Sequence, residues 1–487
     1  MARCWRGATA FSLMNSELLG YSLAPDARMI HADEACLILN PTLGTWVKVS
    51  RYAGVMCERF LGVDIQGITD SVGPAYGKET LDGLLGLMRD LEARGLLVYG
   101  PWNGGGKSDV AAAEKRAAQV CAAPARIYVS VTDRCNLYCE TCYRHAFEND
   151  APTESVLWTI REAGMFRPAE LMITGGEPTL RADLPVLLEE ATFNAPKVIL
   201  ATNATLITQE MAEAIASLGV CVQVSIDSGD EAAHDMIRGE GSFKAAIRGI
   251  ERLVRAGTEH VELVSTIVDP ATFNPDDMIE LASKHGATFH ASLFQEVGRG
   301  ACSRLKGRRK CPKDLAEAML RYLLRACHRN ALPEDSSFED VVGLVPREGC
   351  GAGSKVFALS GAGNAYPCHL LMIPEFAATL YDISEPPRRP TLKRVEEAHA
   401  CGRGDLKELF WDVPGVDQIE GCLECDVRYL CGGGCRAAAY AASGSLYGRD
   451  PMCEAYRIFI SSILWTWDDS RTTSSNLLRA LSEVAML

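Results

Sequence analysis

The sequence predicts an α/β fold built on parallel strands, and two observations carry this prediction. From about residue 126, six short apolar runs alternate with runs of helical periodicity. Such alternation predicts a parallel sheet joined by right-handed crossover helices. In addition, ten of the nineteen cysteines lie in two groups with short repeated gaps, which favours metal sites over disulfides.

The six strand runs are nearly continuously apolar, which predicts burial on both faces of the sheet. In order, they are RIYVSV, ELMIT, KVILAT, VCVQVSI, HVELVSTIV and ATFHASLF. Helices are expected over TESVLWTIREAG, LPVLLEEATF, ITQEMAEAIASLG, SFKAAIRGIERLVRAG and NPDDMIELASKHG. Six units suit an incomplete barrel or an open sheet, and either places the ligand site at the carboxyl ends of the strands.

The segments on either side of this pattern differ in character. Residues 28 to 99 predict short strands followed by helices, the last of which ends at Gly95, and PWNGGGKSD predicts a linker. Residues 302 to 330 hold the basic stretch RLKGRRK and the helix DLAEAMLRYLLRACHRN. Residues 340 to 455 are rich in glycine and cysteine, and residues 456 to 487 predict a docking helix with a frayed end.

Composition excludes two classes of partner. The net charge of −14 over 487 residues argues against nucleic-acid binding, because no broad basic surface is available to pair with phosphates. No apolar run approaches the roughly 18–20 residues that a bilayer requires. Asn15, Ser16 and Glu17 interrupt the N-terminal segment before a secretory core forms. We therefore expect a cytoplasmic protein with no membrane and no nucleic-acid partner.

The first cysteine group is RCNLYCETCY, in which Cys135, Cys139 and Cys142 are spaced C-x3-C-x2-C directly after the first strand. Three thiolates on one loop suit an iron–sulfur cluster that leaves one iron open to a small molecule. The alternative is a zinc site with His145 as the fourth ligand.

This loop, placed after the first of six β/α units, resembles the radical S-adenosylmethionine (radical SAM) superfamily. The resemblance implies a partial, TIM-like (β/α)6 barrel, with Cys135, Cys139 and Cys142 holding a catalytic [4Fe–4S] cluster. It also implies that SAM chelates the open iron and is cleaved to methionine and a 5′-deoxyadenosyl radical.

Further residues match SAM-binding positions of that family. Gly175, Gly176, Glu177 and Pro178 resemble its GGEP motif, which binds the SAM amino group, although alone they would be a plausible tight turn. Asn203 and Ser225, at the ends of the third and fourth strands, resemble SAM contacts. Arg238 resembles a clamp on the SAM carboxylate, with a surface ion pair as the alternative. Thr141 departs from the pattern, because an aromatic residue usually stands there.

The second cysteine group resembles the SPASM domain, a seven-cysteine extension of many radical SAM enzymes. Its members are Cys350, Cys368, Cys422, Cys425, Cys431, Cys435 and Cys453. A zinc ribbon would show two CxxC pairs, and this stretch has one.

The resemblance implies two auxiliary [4Fe–4S] clusters, and hence three clusters in the chain. One would be held completely by Cys422, Cys425, Cys431 and Cys453. The other would be held by Cys350, Cys368 and Cys435 alone, because relatives that supply a fourth cysteine have it where this chain has Leu344. That cluster is expected to have an open iron unless Cys302, Cys311, Cys401 or a substrate sulfur binds it.

The N-terminal residues resemble a RiPP recognition element, the winged-helix-like module that binds leader peptides of ribosomally made, modified peptides by strand addition. A structural cap or a generic winged helix is the alternative. The full division is 1–105 for this element, 120–300 for the barrel, 301–340 for a helical bridge, 341–455 for the SPASM domain and 456–487 for the tail.

Together these resemblances imply a radical SAM maturase of a precursor peptide that carries a leader, supplied with electrons by a flavodoxin or ferredoxin. The open auxiliary iron favours a thioether crosslink over a carbon–carbon crosslink or epimerisation. Sulfatase-maturing oxidation ranks lower, because such enzymes carry an acid where this chain has His369. An electron carrier or a peptide-binding scaffold is the non-enzymatic alternative. RLKGRRK could guide an acidic leader or a flavodoxin, or be a solvated loop.

Overall fold

The structure is a computed structural model, and it describes residues 19–32, 35–101, 124–144, 150–270, 273–303, 311–329, 331–343, 345–379 and 413–487. The chain divides into two compact units, Met1–Arg116 and Ala117–Leu487. Within the described ranges, no helix is long and apolar enough to cross a membrane.

The first unit combines two small antiparallel sheets with three helices. Its strands are β1 Leu19–Leu23, β2 Arg28–His31, β3 Ala35–Asn40, β4 Thr45–Ser50 and β5 Leu97–Pro101, and its helices are α1 Arg51–Arg59, α2 Ile65–Tyr76 and α3 Lys78–Ala93. Strand β1 pairs with β5, while β2, β3 and β4 form a meander in that order. In the described residues β4 is therefore an edge strand of the meander.

An apolar core of its own holds the first unit together. Alternate residues of β3, including Cys36 and Ile38, pack with Met88 and Leu91 of α3. The predicted end of α3 is confirmed, because Gly95 has a φ of +70°. There the N–H groups of Gly95 and Leu96 donate to the Glu92 and Leu91 carbonyls of the last turn.

The second unit contains the six predicted strands and the helices between them. The strands are β6 Arg126–Thr132, β7 Glu170–Gly175, β8 Val198–Thr202, β9 Cys221–Ser225, β10 Val261–Ile267 and β11 Thr288–Leu293. The helices are α4 Thr153–Met165, α5 Leu184–Asn194, α6 Gln209–Ser217, α7 Glu231–Arg238, α8 Ser242–Arg255 and α9 Pro275–Lys284. All neighbouring pairs from β6 to β11 are parallel, as the alternation predicted. Helix α7 was not predicted.

Burial of these strands on both faces was expected, and this prediction is wrong for part of one face. The face that carries Ile127, Val129 and Val131 packs against the helices in one large core. On the opposite face Ser130, Met172 and Ile199 are also buried, whereas Gln223 of β9 and Glu262 of β10 are partly exposed. Gln223 donates to Glu262 at 2.5 Å. Parallel neighbours present the same face, so this face of the sheet carries both buried and partly exposed side chains.

The sheet continues into the cysteine-rich region, which the sequence did not predict. Strands β12 Val356–Ser360, β13 Asn364–Tyr366 and β14 Ala378–Thr379 extend it to nine strands in the described residues, in the order β11-β10-β9-β8-β7-β6-β12-β13-β14. Strand β12 pairs in parallel with β6. Phe357 and Leu359 of β12 belong to the same core as the barrel strands, so the two regions share one interior.

Helices complete the second unit. They are α10 Pro312–His328, α11 Phe338–Val342, α12 Arg428–Cys431, α13 Arg436–Ser443, α14 Cys453–Thr466 and α15 Thr473–Met486. Helices α10, α14 and α15 pack on one another. The expected frayed end is wrong, because α15 buries Leu477, Ala480 and Val484.

Some predicted features lie outside the described residues. They are the linker from 102, RLKGRRK at 304–310, His145, Leu344 and Cys401.

Candidate active site

The three cysteines of the first group lie on the loop that follows β6, at the carboxyl end of the sheet as predicted. Cys135, Cys139 and Cys142 are all partly exposed. Burial, together with Glu177, Cys139 and Cys142 nearby, raises the pKa of the Cys135 thiol to about 11. The loop therefore brings three thiols together, and a bound cation would have to displace their protons.

Two glycines hold this loop against the end of β7. Gly175 has a φ of +152°, and a Cβ there would overlap the Thr132 carbonyl oxygen. A Cβ on Gly176 would overlap the Arg134 carbonyl oxygen. The glycines let Gly176 N–H donate to Thr132 O and Glu177 N–H donate to Arg134 O, both at 2.8 Å. The GGEP motif predicted a close backbone approach to SAM. In the structure these glycines approach the backbone at the start of the cysteine loop.

Glu177 joins the ends of β7 and β8. It is 1% exposed, and its Oε1 accepts hydrogen bonds from Thr179 N, Thr179 Oγ1 and Thr202 Oγ1. Its Oε2 accepts one from Asn203 N at 2.7 Å. Burial raises the pKa of Glu177, although these donors oppose the shift. A carboxylate oxygen has room for two donors, so Oε2 has the capacity to accept an ammonium group as well.

Asn203 follows β8 and connects it to the cysteine loop. Its Nδ2 donates to Asn136 Oδ1 at 2.9 Å, and its Oδ1 accepts from Thr205 N and Thr205 Oγ1. Asn136 in turn donates to Thr205 Oγ1 at 2.8 Å. Asn203 thus positions the loop between Cys135 and Cys139, and its contact with SAM stays a prediction.

Arg238 ends α7 and forms a buried ion pair that the sequence did not predict. Its Nε and Nη2 donate to Asp227 Oδ2 and Oδ1 at 2.7 and 3.2 Å, and the Asp227 side chain is fully buried. Burial opposes its charge, but Asp227 and Cys139 raise the pKa of Arg238 overall. The expected alternative of a surface ion pair is wrong, because this pair is buried beside the cysteine loop. Ser225, which ends β9 two residues before Asp227, is half-buried.

The far end of the loop rests on the turn after β11. Gly300 N–H donates to Cys142 O at 2.9 Å, and a Cβ on Gly298 would overlap the Tyr143 carbonyl. The Arg299 guanidinium lies 3.9 Å from the centre of the exposed Tyr138 ring. Segments after four different strands therefore hold the cysteine loop in place.

Electrostatic neighbours among the seven cysteines of the second group form two sets, Cys350, Cys368 and Cys435 as the first and Cys422, Cys425, Cys431 and Cys453 as the second, and their binding of clusters stays a prediction. Burial raises the pKa of the partly exposed Cys368 thiol, and the nearby Cys435 and Cys350 contribute to the rise. Cys453 likewise raises the pKa of Cys422, Cys425 and Cys431, again after burial. Cys302 and Cys311, proposed as further ligands, are exposed.

A cavity of about 160 Å³ lies between the cysteine loop and the strand ends of β6 and β12. His369, the residue after Cys368, lines it and stacks on Tyr128 with ring centres 4.1 Å apart. Burial lowers the pKa of His369 to about 4, so its imidazole is neutral near pH 7.

Asp227 and Asn136 were not predicted from the sequence, although they lie within the VSIDS and RCNLYC motifs. Their signal was a polar side chain next to a predicted cofactor contact.

The residues present fit a cluster that binds SAM. Three thiols share one loop, a buried carboxylate and a guanidinium flank it, and each thiolate of a four-iron cluster binds a different iron. The zinc alternative needs His145, which the structure does not describe. Among the residues that are described, no three His, Cys, Asp or Glu side chains are arranged around one metal ion.

Comparison with known sequences gives a match to the Radical SAM superfamily over residues 129–284. Mycofactocin maturase MftC of Mycolicibacterium smegmatis is 26% identical over 337 residues, covering 68% of this chain and 83% of that protein. AdoMet-dependent heme synthase of Methanosarcina barkeri is 27% identical over 356 residues, covering 68% and 96%.

Solved structures share the fold. Native anSMEcpe with bound AdoMet aligns with a TM-score of 0.52 at 17% identity, covering 74% of this chain and 99% of that one. Streptococcus suis SuiB bound to precursor peptide SuiA aligns with a TM-score of 0.50 at 16% identity, covering 89% and 99%.

Proposed function

From the radical SAM domain that residues 129–284 form, we propose that this enzyme modifies a ribosomally made precursor peptide. The observation that carries the proposal is the combination of a radical SAM site with two further groups of thiols in the same compact unit. A relative named a maturase supports a peptide substrate. SuiB, which was crystallised with its precursor peptide, shares the fold.

The radical chemistry itself would come from the bound cofactors: the cluster supplies one electron, and SAM cleavage supplies a 5′-deoxyadenosyl radical. The chain's own residues hold these partners in place. Cys135, Cys139 and Cys142 would bind the cluster, and Glu177 would accept the SAM ammonium. Asp227 fixes the plane of the Arg238 guanidinium beside Cys139, where it would meet the SAM carboxylate.

We propose that the first unit recognises the precursor peptide. Its meander has β4 at an edge, and α1 packs on β3 and β4 of the same meander. An edge strand offers unpaired backbone groups, to which a leader peptide would add as a further strand.

The product we propose is a thioether. Forming it replaces one C–H and one S–H bond of the peptide by a C–S bond, so the peptide loses two hydrogen atoms. One hydrogen atom ends on 5′-deoxyadenosine, the other leaves as a proton, and the remaining electron needs an acceptor. The proposed auxiliary clusters fit that need, because an oxidised iron–sulfur cluster can accept one electron. Among the described residues, Cys350, Cys368 and Cys435 form a group of three thiols, which would leave one iron to bind the substrate sulfur. A flavodoxin or ferredoxin is the proposed donor of the first electron.

The heme synthase relatives favour a second candidate, a radical SAM enzyme acting on a tetrapyrrole. Their identity to this chain is similar to that of the maturase relative. Both candidate enzymes would cleave SAM, so only the identity of the modified substrate distinguishes them.

The test is anaerobic reconstitution with iron, sulfide, SAM and dithionite, followed by co-expression with a short cysteine-containing peptide encoded next to the enzyme. We expect 5′-deoxyadenosine in the first experiment and a peptide lighter by two hydrogens in the second. Alkylation of free thiols before mass spectrometry then distinguishes a thioether, which blocks one cysteine, from a carbon–carbon crosslink, which leaves the cysteines reactive.

Two results would contradict the proposal. Absence of 5′-deoxyadenosine would favour an electron carrier, and a peptide of unchanged mass would leave epimerisation or the tetrapyrrole substrate. A Cys135→Ala, Cys139→Ala, Cys142→Ala protein serves as the control, because it removes the SAM-binding thiols and keeps the second group.

A further inference from the structure

Asp450 lies between the two sets of thiols in the second cysteine group. Its side chain belongs to the buried interior, with 3% of the residue exposed. Cys435 of the first set lies fifteen residues before it, and Cys453 of the second set lies three residues after it. Neither the cysteine motif nor the proposed chemistry assigns a role to this carboxylate.

The hydrogen bonds of Asp450 reach both sets. Its Oδ2 accepts from the N–H of Cys435 at 2.5 Å, and its Oδ1 accepts from Met452 N at 2.7 Å. Its backbone carbonyl accepts from the N–H of Cys453 at 3.0 Å. One residue therefore binds the main chain of one proposed ligand from each auxiliary cluster.

The glycine run before Cys435 makes this contact possible. Gly432, Gly433 and Gly434 have φ values of +70°, +78° and +73°, a left-handed conformation that other residues adopt only at a cost. A Cβ on Gly434 would overlap the Asp450 carboxylate. The CGGGC sequence therefore turns the chain from Cys431 to Cys435 around this side chain.

A buried cation accompanies the carboxylate. Arg436 is 1% exposed and donates through Nη1 to Leu446 O and Gly448 O, and through Nη2 to Gly433 O. These bonds fix the turn that leads to Asp450. The positive charge of Arg436 also favours the ionised carboxylate, against the burial that disfavours it.

We propose that Asp450 is the positioning residue that holds the two auxiliary clusters at a fixed distance and sets their reduction potentials together. This inference rests on the proposed auxiliary clusters. Geometry carries it, because the same residue bonds to Cys435 and Cys453 and its charge lies beside Cys431 and Cys435. A buried anion next to an iron–sulfur cluster opposes reduction, so it lowers the potential of each cluster that it faces.

The test uses the full chain with Cys135, Cys139 and Cys142 replaced by alanine, so that only auxiliary clusters remain. This background should bind about eight irons, or about seven if the cluster with three thiols loses its open iron. In it, Asp450→Asn keeps the size of the side chain and removes its charge, and Asp450→Ala removes the hydrogen bonds as well. Glu420→Gln is the matched control, because Glu420 is exposed and lies two residues before Cys422.

Iron content and reduction potentials, the latter from titrations followed by electron paramagnetic resonance, are the readouts. We expect Asp450→Ala to lose auxiliary iron. We expect Asp450→Asn to retain iron while both auxiliary potentials become more positive, with Glu420→Gln matching the background. A merely structural role would lower iron content without moving the potentials of the clusters that remain.

Unchanged potentials in Asp450→Asn, or a shift confined to one cluster, would overturn the inference. A background protein that binds no iron would instead show that the auxiliary clusters are absent, and with them both the cofactor proposal and this inference would fall. Loss of iron from Asp450→Asn would also overturn the inference, because the carboxylate would then be needed to assemble the clusters rather than to set their potentials.

Discussion

Gly176 belongs to the predicted SAM-binding motif, yet its contacts in the structure are with the backbone that leads into the cysteine loop. Its Cα faces the Arg134 carbonyl with no space for a side chain, and the neighbouring N–H groups bond to the cysteine loop. Any movement of this residue is therefore passed directly to the segment that carries Cys135. The glycine pair determines where the thiols stand before any ligand binds.

Gly176→Ala is predicted to disable the SAM site. The added methyl group would force the loop away from β7 at a cost of about 1–3 kcal/mol, as overpacking does elsewhere. We expect loss of the SAM-binding cluster and at least about a tenfold fall in 5′-deoxyadenosine formation, which corresponds to about 1.4 kcal/mol. Iron content and product yield are measured together. Gly86→Ala, where a Cβ meets no other atom, is the control and should behave as wild type.

His234 gives the second prediction at this scale, a loss of stability in acid. It is 1% exposed, and its Nδ1 accepts from Asp227 N at 3.3 Å. Burial, aided by Arg238, lowers the pKa of His234 to about 4. In the unfolded chain His234 becomes protonated near pH 6.5, whereas in the folded chain it stays neutral down to about pH 4. The free energy of unfolding therefore falls as the pH drops from about 6.5 to about 4. At about 1.4 kcal/mol per pKa unit, the loss amounts to about 3 kcal/mol.

Urea unfolding as a function of pH checks this loss. His234→Asn keeps an acceptor near Nδ1 and cannot be protonated, so its acid decline should be shallower than that of wild type. His290→Asn, at an exposed position of β11, should leave the decline unchanged. Equal slopes for the wild type and His234→Asn would show that other groups cause the acid loss.

The thiols and the GGEP turn of the site could be predicted because their spacing along the chain is itself the signal. Asp227 and Arg238 could not be paired in advance, because their contact depends on α7, a helix of eight residues with only His234 buried. Asn136 was likewise hidden, since its partner Asn203 follows a strand 67 residues later. Tertiary contacts of this kind have no periodic pattern in a sequence.

Among the elements, the six barrel strands were predictable because each is an apolar run followed by a helix. Strand β12 was not, because a five-residue run in a region rich in glycine and cysteine has no helix to mark it as a β/α unit. Yet β12 pairs with β6 over its whole length and so attaches Cys350 and Cys368 to the barrel.

Phe357 is predicted to be the main apolar anchor of that attachment. It is 3% exposed and meets Phe166, after α4, edge to face with ring centres 5.1 Å apart. Phe357→Ala should lower the free energy of unfolding by about 3–5 kcal/mol, because it removes a buried ring and leaves a cavity. Phe193→Ala, at a position that is 80% exposed, is the control and should change stability by about 0.5 kcal/mol or less. Equal effects of the two substitutions would show that β12 is not held through this ring.

At the scale of the whole molecule, each of the two units has a core of its own. Cys36, Ile38 and Met88 belong to the core of the first, whereas Ile127 and Phe357 belong to that of the second. The thiols of both cysteine groups lie in the second unit alone. If the first unit only recognises a leader, cofactor chemistry and peptide modification should be separable by removing it.

A chain beginning at Ala117, where the second unit starts, is therefore predicted to keep iron and SAM cleavage but to lose most peptide modification. Without strand addition the peptide must bind through its modified segment alone, so we expect at least about a tenfold loss in product per 5′-deoxyadenosine formed. Mass spectrometry of the peptide and chromatography of 5′-deoxyadenosine give this ratio. A leaderless peptide is the control and should be modified equally poorly by the full and shortened chains.

If the shortened chain modified the full precursor as well as the intact enzyme does, the first unit would be a structural cap. If SAM cleavage also failed, the first unit would be needed for the fold or cofactors of the second, and recognition would have to be tested by substitutions along β4.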